Sequence, residues 1–189
     1  MWQNTLVTAF YRDFSNFTKN IRMTTTGLYS LSLKDYRTYL LSALFVAGNI
    51  ILPRLAHLIP QGGFIFLPIY FFTLIAAYKY GIAAGLLTAV LSPLVNHWLF
   101  GMPPAEVLPV LLMKSSLLAI IAAFVAHRLK NVSIVNLIIV VLGYQLIGTF
   151  AEWAIVNDIN AAVQDFRIGF PGMLLQVFAG YAVLKASSK

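Results

Sequence analysis

The chain has 189 residues, 60% of them hydrophobic and only 10% charged, with a mean hydropathy of +0.82. Soluble domains carry about 25% charge, so this composition excludes an ordinary water-soluble fold and predicts an all-α integral membrane protein. The net charge of +7 comes from single basic residues at the ends of apolar runs, which argues against nucleic acid as a partner, and the absence of cysteine excludes disulfides and thiolate chemistry.

The reading divides the chain into an N-terminal segment, residues 1–35, and a membrane domain, residues 36–189. In the first, Trp2, Leu6, Phe10, Phe14, Phe17 and Ile21 recur at three- and four-residue spacing, with Arg12, Lys19 and Arg22 off that stripe. This is the pattern of an amphipathic helix, lying either on the membrane surface or on the protein's own cytoplasmic face. The cleavage pattern of a secretory signal peptide is missing.

Six apolar runs follow: 39–59, 64–80, 82–100, 104–126, 133–155 and 168–184. Each is about long enough to cross a hydrocarbon layer roughly 30 Å thick, which predicts a six-transmembrane-helix bundle. Only Gly81 separates the second run from the third. Asn157, Asp158, Asn160, Gln164, Asp165 and Arg167 make the connection before the last run the most polar one. Counted on alternate sides, ten cations (Arg12, Lys19, Arg22, Lys34, Arg37, Lys79, Arg128, Lys130, Lys185 and Lys189) oppose Arg54 and Arg167. The positive-inside rule then puts both termini in the cytoplasm and Glu106, Asp158 and Asp165 outside.

Within the first run, Ala43 and Ala47 stand one turn apart on one face and leave a shallow groove for a neighbouring helix. They could equally pack inside the bundle. Ala77, Gly81 and Gly85 across the second turn, and Ala122 with Ala126, have the spacing of ordinary close packing. In the third run, Ser92-Pro93-Leu94-Val95-Asn96-His97-Trp98 is expected to end the helix at the outer surface. Asn96, His97 and Trp98 are candidates for the rim of a binding site, or for an interfacial belt with tryptophan at headgroup depth.

Lys114 is the one cation deep in an apolar run, within residues 107–125. A charge there costs on the order of 2.5–3.5 kcal/mol at a helix centre and is kept for a ligand or a partner charge. By helical rise it lies about 15 Å below the outer end of its run, close to the depths of Gln145 (about 16 Å) and Gln176 (about 12 Å) in theirs. Gln145, Thr149 and Glu152 share one face by their i, i+4, i+7 spacing. The expected site is a pocket with Lys114, Gln145 and Gln176 on its floor, Glu152 at its mouth and Trp98, Trp153 and Phe170 as walls for a planar ring. Lys114 and Glu152 could instead form a structural ion pair.

His57, His97 and His127 lack the spacing and company of a metal site, and no nucleophile elbow, paired carboxylates or phosphate loop occurs. The expectation is therefore a non-enzyme without metal or cofactor. Any active transport would draw on another subunit.

With six runs, cytoplasmic ends, about this length, the Ala43-x-x-x-Ala47 pair, Leu52-Pro53 and the Gly81–Gly85 turn, the stretch from Tyr39 to Leu184 resembles the substrate-binding S component of energy-coupling factor (ECF) vitamin transporters. The resemblance implies a prokaryotic cell-membrane protein that captures a small vitamin-like molecule from outside, in a pocket among the outer halves of the last three helices. It implies that Ala43 and Ala47 dock on a transmembrane coupling subunit, which carries two ATPases, and that the S component topples to release its cargo inside. Members that carry nickel or cobalt begin Met-His, whereas this chain begins Met1-Trp2, which argues against a metal cargo. The alternatives are a non-transporting scaffold of a cell-envelope assembly and, lacking any catalytic pair, an intramembrane enzyme acting on lipid.

Overall fold

A computed structural model of the protein describes residue 28 and residues 30–187. The N-terminal stripe from Trp2 to Ile21 and the cations Arg12, Lys19, Arg22 and Lys189 lie outside the described residues. Those that are described form helices α1 (Tyr36–Ala56), α2 (Gly62–Phe66), α3 (Phe71–Tyr80), α4 (Ile82–Phe100), α5 (Leu108–Leu129), α6 (Ile134–Val156), α7 (Ile159–Ala162), α8 (Gln164–Arg167) and α9 (Phe170–Ala186), with no strand among them. Five passes are long and apolar enough to cross a membrane: α1, the interrupted pass Gly62–Tyr80, α4, α5 and α6. The last helix, α9, is apolar but shorter, at 17 residues.

Burial runs opposite to that of a water-soluble protein. On α1 the inward face carries Thr38, Ser42 and Asn49, while Leu40, Leu44, Ile51 and Leu55 are exposed. Exposed Ile139, Leu146, Phe150 and Phe178 continue the apolar surface on α6 and α9. Such a surface is stable only against lipid, and the chain is a multi-pass membrane protein.

The second pass is not one helix. Leu67 adopts the left-handed conformation, with φ 46° and ψ 46°, and Pro68 opens a 3-10 turn, Pro68–Tyr70, before α3 begins. Proline supplies no N–H and disfavours helical geometry in the residue before it, so the break falls at this dipeptide. Irregular backbone at membrane depth must be enclosed by protein, and Leu67, Pro68, Ile69 and Tyr70 are all buried. This pass is 72% buried, against 33–44% for the other four, which makes it the central post of the bundle.

Asn49 fastens that post. Its side-chain Nδ2 donates to Thr73 Oγ1 at 3.1 Å and Ser92 Oγ at 3.0 Å, and its Oδ1 accepts the Phe72 backbone N–H at 3.1 Å. One buried amide thus joins α1, α3 and α4. The turn from α3 to α4 is as tight as the sequence requires: Gly81 has φ 92°, and a Cβ on Gly85 would come within 2.7 Å of Ala77 Cα.

Leu31 N–H donates to the Tyr80 carbonyl, the Tyr78 hydroxyl to the Asn131 carbonyl and the Lys79 ammonium to the Ser187 carbonyl, gathering these segments at one end of the bundle. The opposite end holds His57–Gln61, the loop 101–107 and the short helices α7 and α8. Several ends differ from expectation. Helix α1 stops at Ala56, short of residue 59, and the fourth run becomes helical only at Leu108, because residues 101–107 turn through Pro103 and Pro104. Pro93 lies inside α4, which continues to Phe100.

Candidate functional site

Lys114 projects from α5 and is 2% exposed. Its stem crosses α6 at Gly148, where a Cβ would stand 2.9 Å from Lys114 Cγ. Beyond that crossing the ammonium donates to Asp165 Oδ2 at 2.8 Å and contacts Glu152 Oε2. Glu152 follows from α6, one turn beyond Gly148. Asp165 comes from α8, a helix of one turn that ordinary periodicity does not single out. Its approach is set by the preceding segment, where Asp158 caps α7 by accepting the Asn160 N–H at 2.8 Å and Ala162 is fully buried. One ammonium therefore sits between two carboxylates, a compensated arrangement for a charge removed from water.

This triad faces a cavity of about 500 Å³. Its walls are the end of α1 (Pro53, His57), the broken pass (Gly63, Phe64, Leu67–Tyr70), Asn96 of α4, the loop residues Met102–Pro104, and Val107, Val110 and Leu111. Exposed Gln61, Met102 and Pro104 form the rim, while buried Tyr70, Asn96 and Lys114 form the base. Pockets for small molecules commonly have this size, an apolar wall and a few directed polar groups. The room for it arises where the second pass breaks and stops filling the space between α1 and α5.

Of the residues singled out by sequence, Lys114, Glu152 and Asn96 line this cavity. The side-chain amide of Asn96 takes no partner among the described residues. Gln145, Thr149 and Gln176 are outside its lining. Gln176 is fully buried and its Oε1 accepts the Tyr144 hydroxyl at 3.0 Å, while the Tyr144 ring lies 5.5 Å from that of Tyr70. Gln145 is fully buried with neither amide atom partnered, and Thr149 Oγ1, Ser115 Oγ and Gln176 Nε2 are likewise without partners among the described residues. His97 lies off the cavity because its Nδ1–H donates to the Pro103 carbonyl at 2.7 Å, fastening the rim loop from behind. Trp98, Trp153 and Phe170 are exposed and absent from the cavity lining, so these rings are not walls.

Sequence reasoning missed Asp165, Tyr70 and the wall from α1 and α2. Asp165 was visible as an acid in the polar connection, but no spacing rule ties a loop residue to Lys114. Ala43 and Ala47 are exposed on the outward stripe of α1, away from the interior of this bundle. No group of three metal-ligating side chains occurs among the described residues. In comparison with known proteins, no family model, curated protein or solved structure matches the chain.

Proposed function

We propose that the protein is a substrate-capturing membrane subunit, an S component of an ECF-type importer, which binds a small vitamin-like molecule in the cavity above Lys114. The observation that carries this reading is a buried lysine held by two carboxylates at the base of a cavity of about 500 Å³ inside an apolar bundle. Buried charge at membrane depth is costly, and a small-molecule cavity beside it supplies a use for it.

Orientation follows from charge. Lys34, Arg37, Lys79, Arg128, Lys130 and Lys185 belong to the end away from the cavity, and Arg54 and Arg167 to the cavity end. By the positive-inside rule the cavity opens to the exterior of a prokaryotic cell, with α9 as a sixth crossing and both termini in the cytoplasm. The chain carries no nucleotide-binding motif, so delivery requires a coupling subunit with two ATPases, and the exposed Ala43–Ala47 stripe offers a surface on which such a subunit can lie.

That stripe would serve a cell-envelope scaffold as well, and substitution separates the two. In a capture subunit, Ala43→Trp and Ala47→Trp block uptake but leave ligand bound, whereas neutralising Glu152 or Asp165 weakens binding. In a scaffold only the tryptophans have an effect. The direct test is mass spectrometry of small molecules released from the purified protein. Capture predicts a stoichiometric organic ligand, and its repeated absence from protein purified out of rich medium overturns the reading.

A further inference from the structure

We infer that the captured molecule is a cation, or presents a cluster of N–H donors, and that Glu152 and Asp165 receive it; this rests on the capture reading above. The lone lysine seen in sequence invites an acidic ligand, but the geometry reverses that sign. Lys114, Glu152 and Asp165 line the cavity together and sum to one negative charge. His57, the imidazole in the wall, gives its Nδ1–H to the Pro53 carbonyl at 2.6 Å.

What a ligand can touch is more telling than the sum. The Lys114 side chain is 3% exposed, against 13% for Glu152 and 16% for Asp165. Most of the accessible surface of the triad therefore belongs to the two acidic side chains. Lys114 engages one oxygen of each, Glu152 Oε2 and Asp165 Oδ2. The other two, Glu152 Oε1 and Asp165 Oδ1, take no partner among the described residues. Ionised carboxylates are acceptors only, so these oxygens select donors.

The surroundings agree. Tyr70 and Phe64 bring aromatic rings to the lining, which can attract a cation, and most of the remaining wall is apolar, with Gln61, Asn96 and Gln164 as neutral polar groups. A flat organic cation such as an amidinium or a protonated ring nitrogen suits this combination. A carboxylate or phosphate would meet net negative charge in a medium that screens it poorly.

The test uses two probes of one shape and opposite charge, benzamidinium and benzoate, with full-length protein in lipid nanodiscs. Saturation-transfer NMR and thermal shift should detect benzamidinium and not benzoate. Glu152→Gln and Asp165→Asn, each of which leaves Lys114 one partner, should each lower benzamidinium affinity about tenfold, and Asp165→Glu should retain it. Binding of benzoate in preference to benzamidinium, or affinity for benzamidinium unchanged in both neutralised variants, overturns the charge assignment. The wild-type comparison needs no variant to fold. Mass spectrometry separates this failure from that of the capture reading: a released anion defeats the charge assignment alone, and a protein that releases nothing and binds neither probe defeats both.

Discussion

The Lys114 stem crosses α6 at Gly148, a position where that helix has no side chain, with Cγ 2.9 Å and Cε 3.4 Å from where a Cβ would stand. A methyl group there presses on the root of the lysine, which cannot swing aside as its tip could. Gly148→Ala should therefore displace the ammonium, cost about 1–3 kcal/mol as an overpacking change and reduce ligand retention. Gly143 on the same helix is the control, since its Cβ would meet Ile121 Cγ2 at an ordinary 3.6 Å. Gly143→Ala should be neutral or stabilising by up to about 1 kcal/mol through helix propensity. Thermal unfolding of the two variants in one detergent checks the opposite signs.

Truncating Lys114 leaves Glu152 and Asp165 facing each other across the base of the cavity. Breaking a buried pair costs about 3–5 kcal/mol, and the lower end applies because both carboxylates keep some accessible surface. Lys114→Met should lower the melting temperature markedly, and adding Glu152→Gln with Asp165→Asn should restore at least half of the loss. An uptake defect in a Lys114 variant is thus informative only beside a measurement of folded protein. A Lys114→Met protein as stable as wild type would show that the triad does not hold α5, α6 and α8 together.

Removing the Asn49 amide orphans the Phe72 N–H and takes a donor from the Thr73 and Ser92 hydroxyls. A buried group left unpaired costs about 1–3 kcal/mol, so Asn49→Ala should destabilise by about 2–3 kcal/mol once the lost volume is included. Ser42 on the same face gives a smaller effect, because its hydroxyl bonds mainly to the Thr38 carbonyl of its own helix at 2.7 Å. Ser42→Ala should cost less than about 1 kcal/mol, measured by the same unfolding assay.

Helices were the most legible level of the sequence, because lipid demands long uninterrupted apolar runs; the third run, Ile82–Phe100, coincides with α4 end for end. The Ala77–Gly85 contact was legible too, as small residues flanking a one-glycine turn leave little alternative. The break at Leu67-Pro68 was not, since the residues around it read as one apolar run and proline near the start of a helix is ordinarily tolerated. Lys114 declared itself as a lone cation, and Glu152 through its spacing from Gln145. Asp165 could not, because it reaches Lys114 from a one-turn helix whose position depends on the packing of Ala162 and the cap at Asp158. Depth along a helix was readable for Gln176 and Trp153, but direction was not: whether a side chain faces a cavity depends on the rotation of its helix, which apolar runs on all sides leave undefined.

Gly172, in the first turn of α9, touches no part of the cavity, yet it sets the cavity's far wall. A Cβ there would lie 2.4 Å from the Phe66 carbonyl carbon, 2.5 Å from its oxygen and 2.9 Å from the Ile65 oxygen. All three are backbone atoms of α2 and cannot rotate out of the way. Gly172→Ala must therefore push α9 from α2, the helix that carries Gly63 and Phe64 in the wall. The cost should reach the upper part of the roughly 1–3 kcal/mol range for overpacking, with a parallel loss of retained ligand. Gly180→Ala, eight residues on in the same helix, meets Leu74 Cδ2 at 3.3 Å and Leu137 Cδ1 at 4.0 Å, methyl groups that can give, and should cost less than about 1 kcal/mol with ligand retained. Equal behaviour of the two variants, in melting temperature and in released ligand, would mean that α2 and α9 are not docked backbone to side-chain-free backbone, and that the wall is held by other contacts.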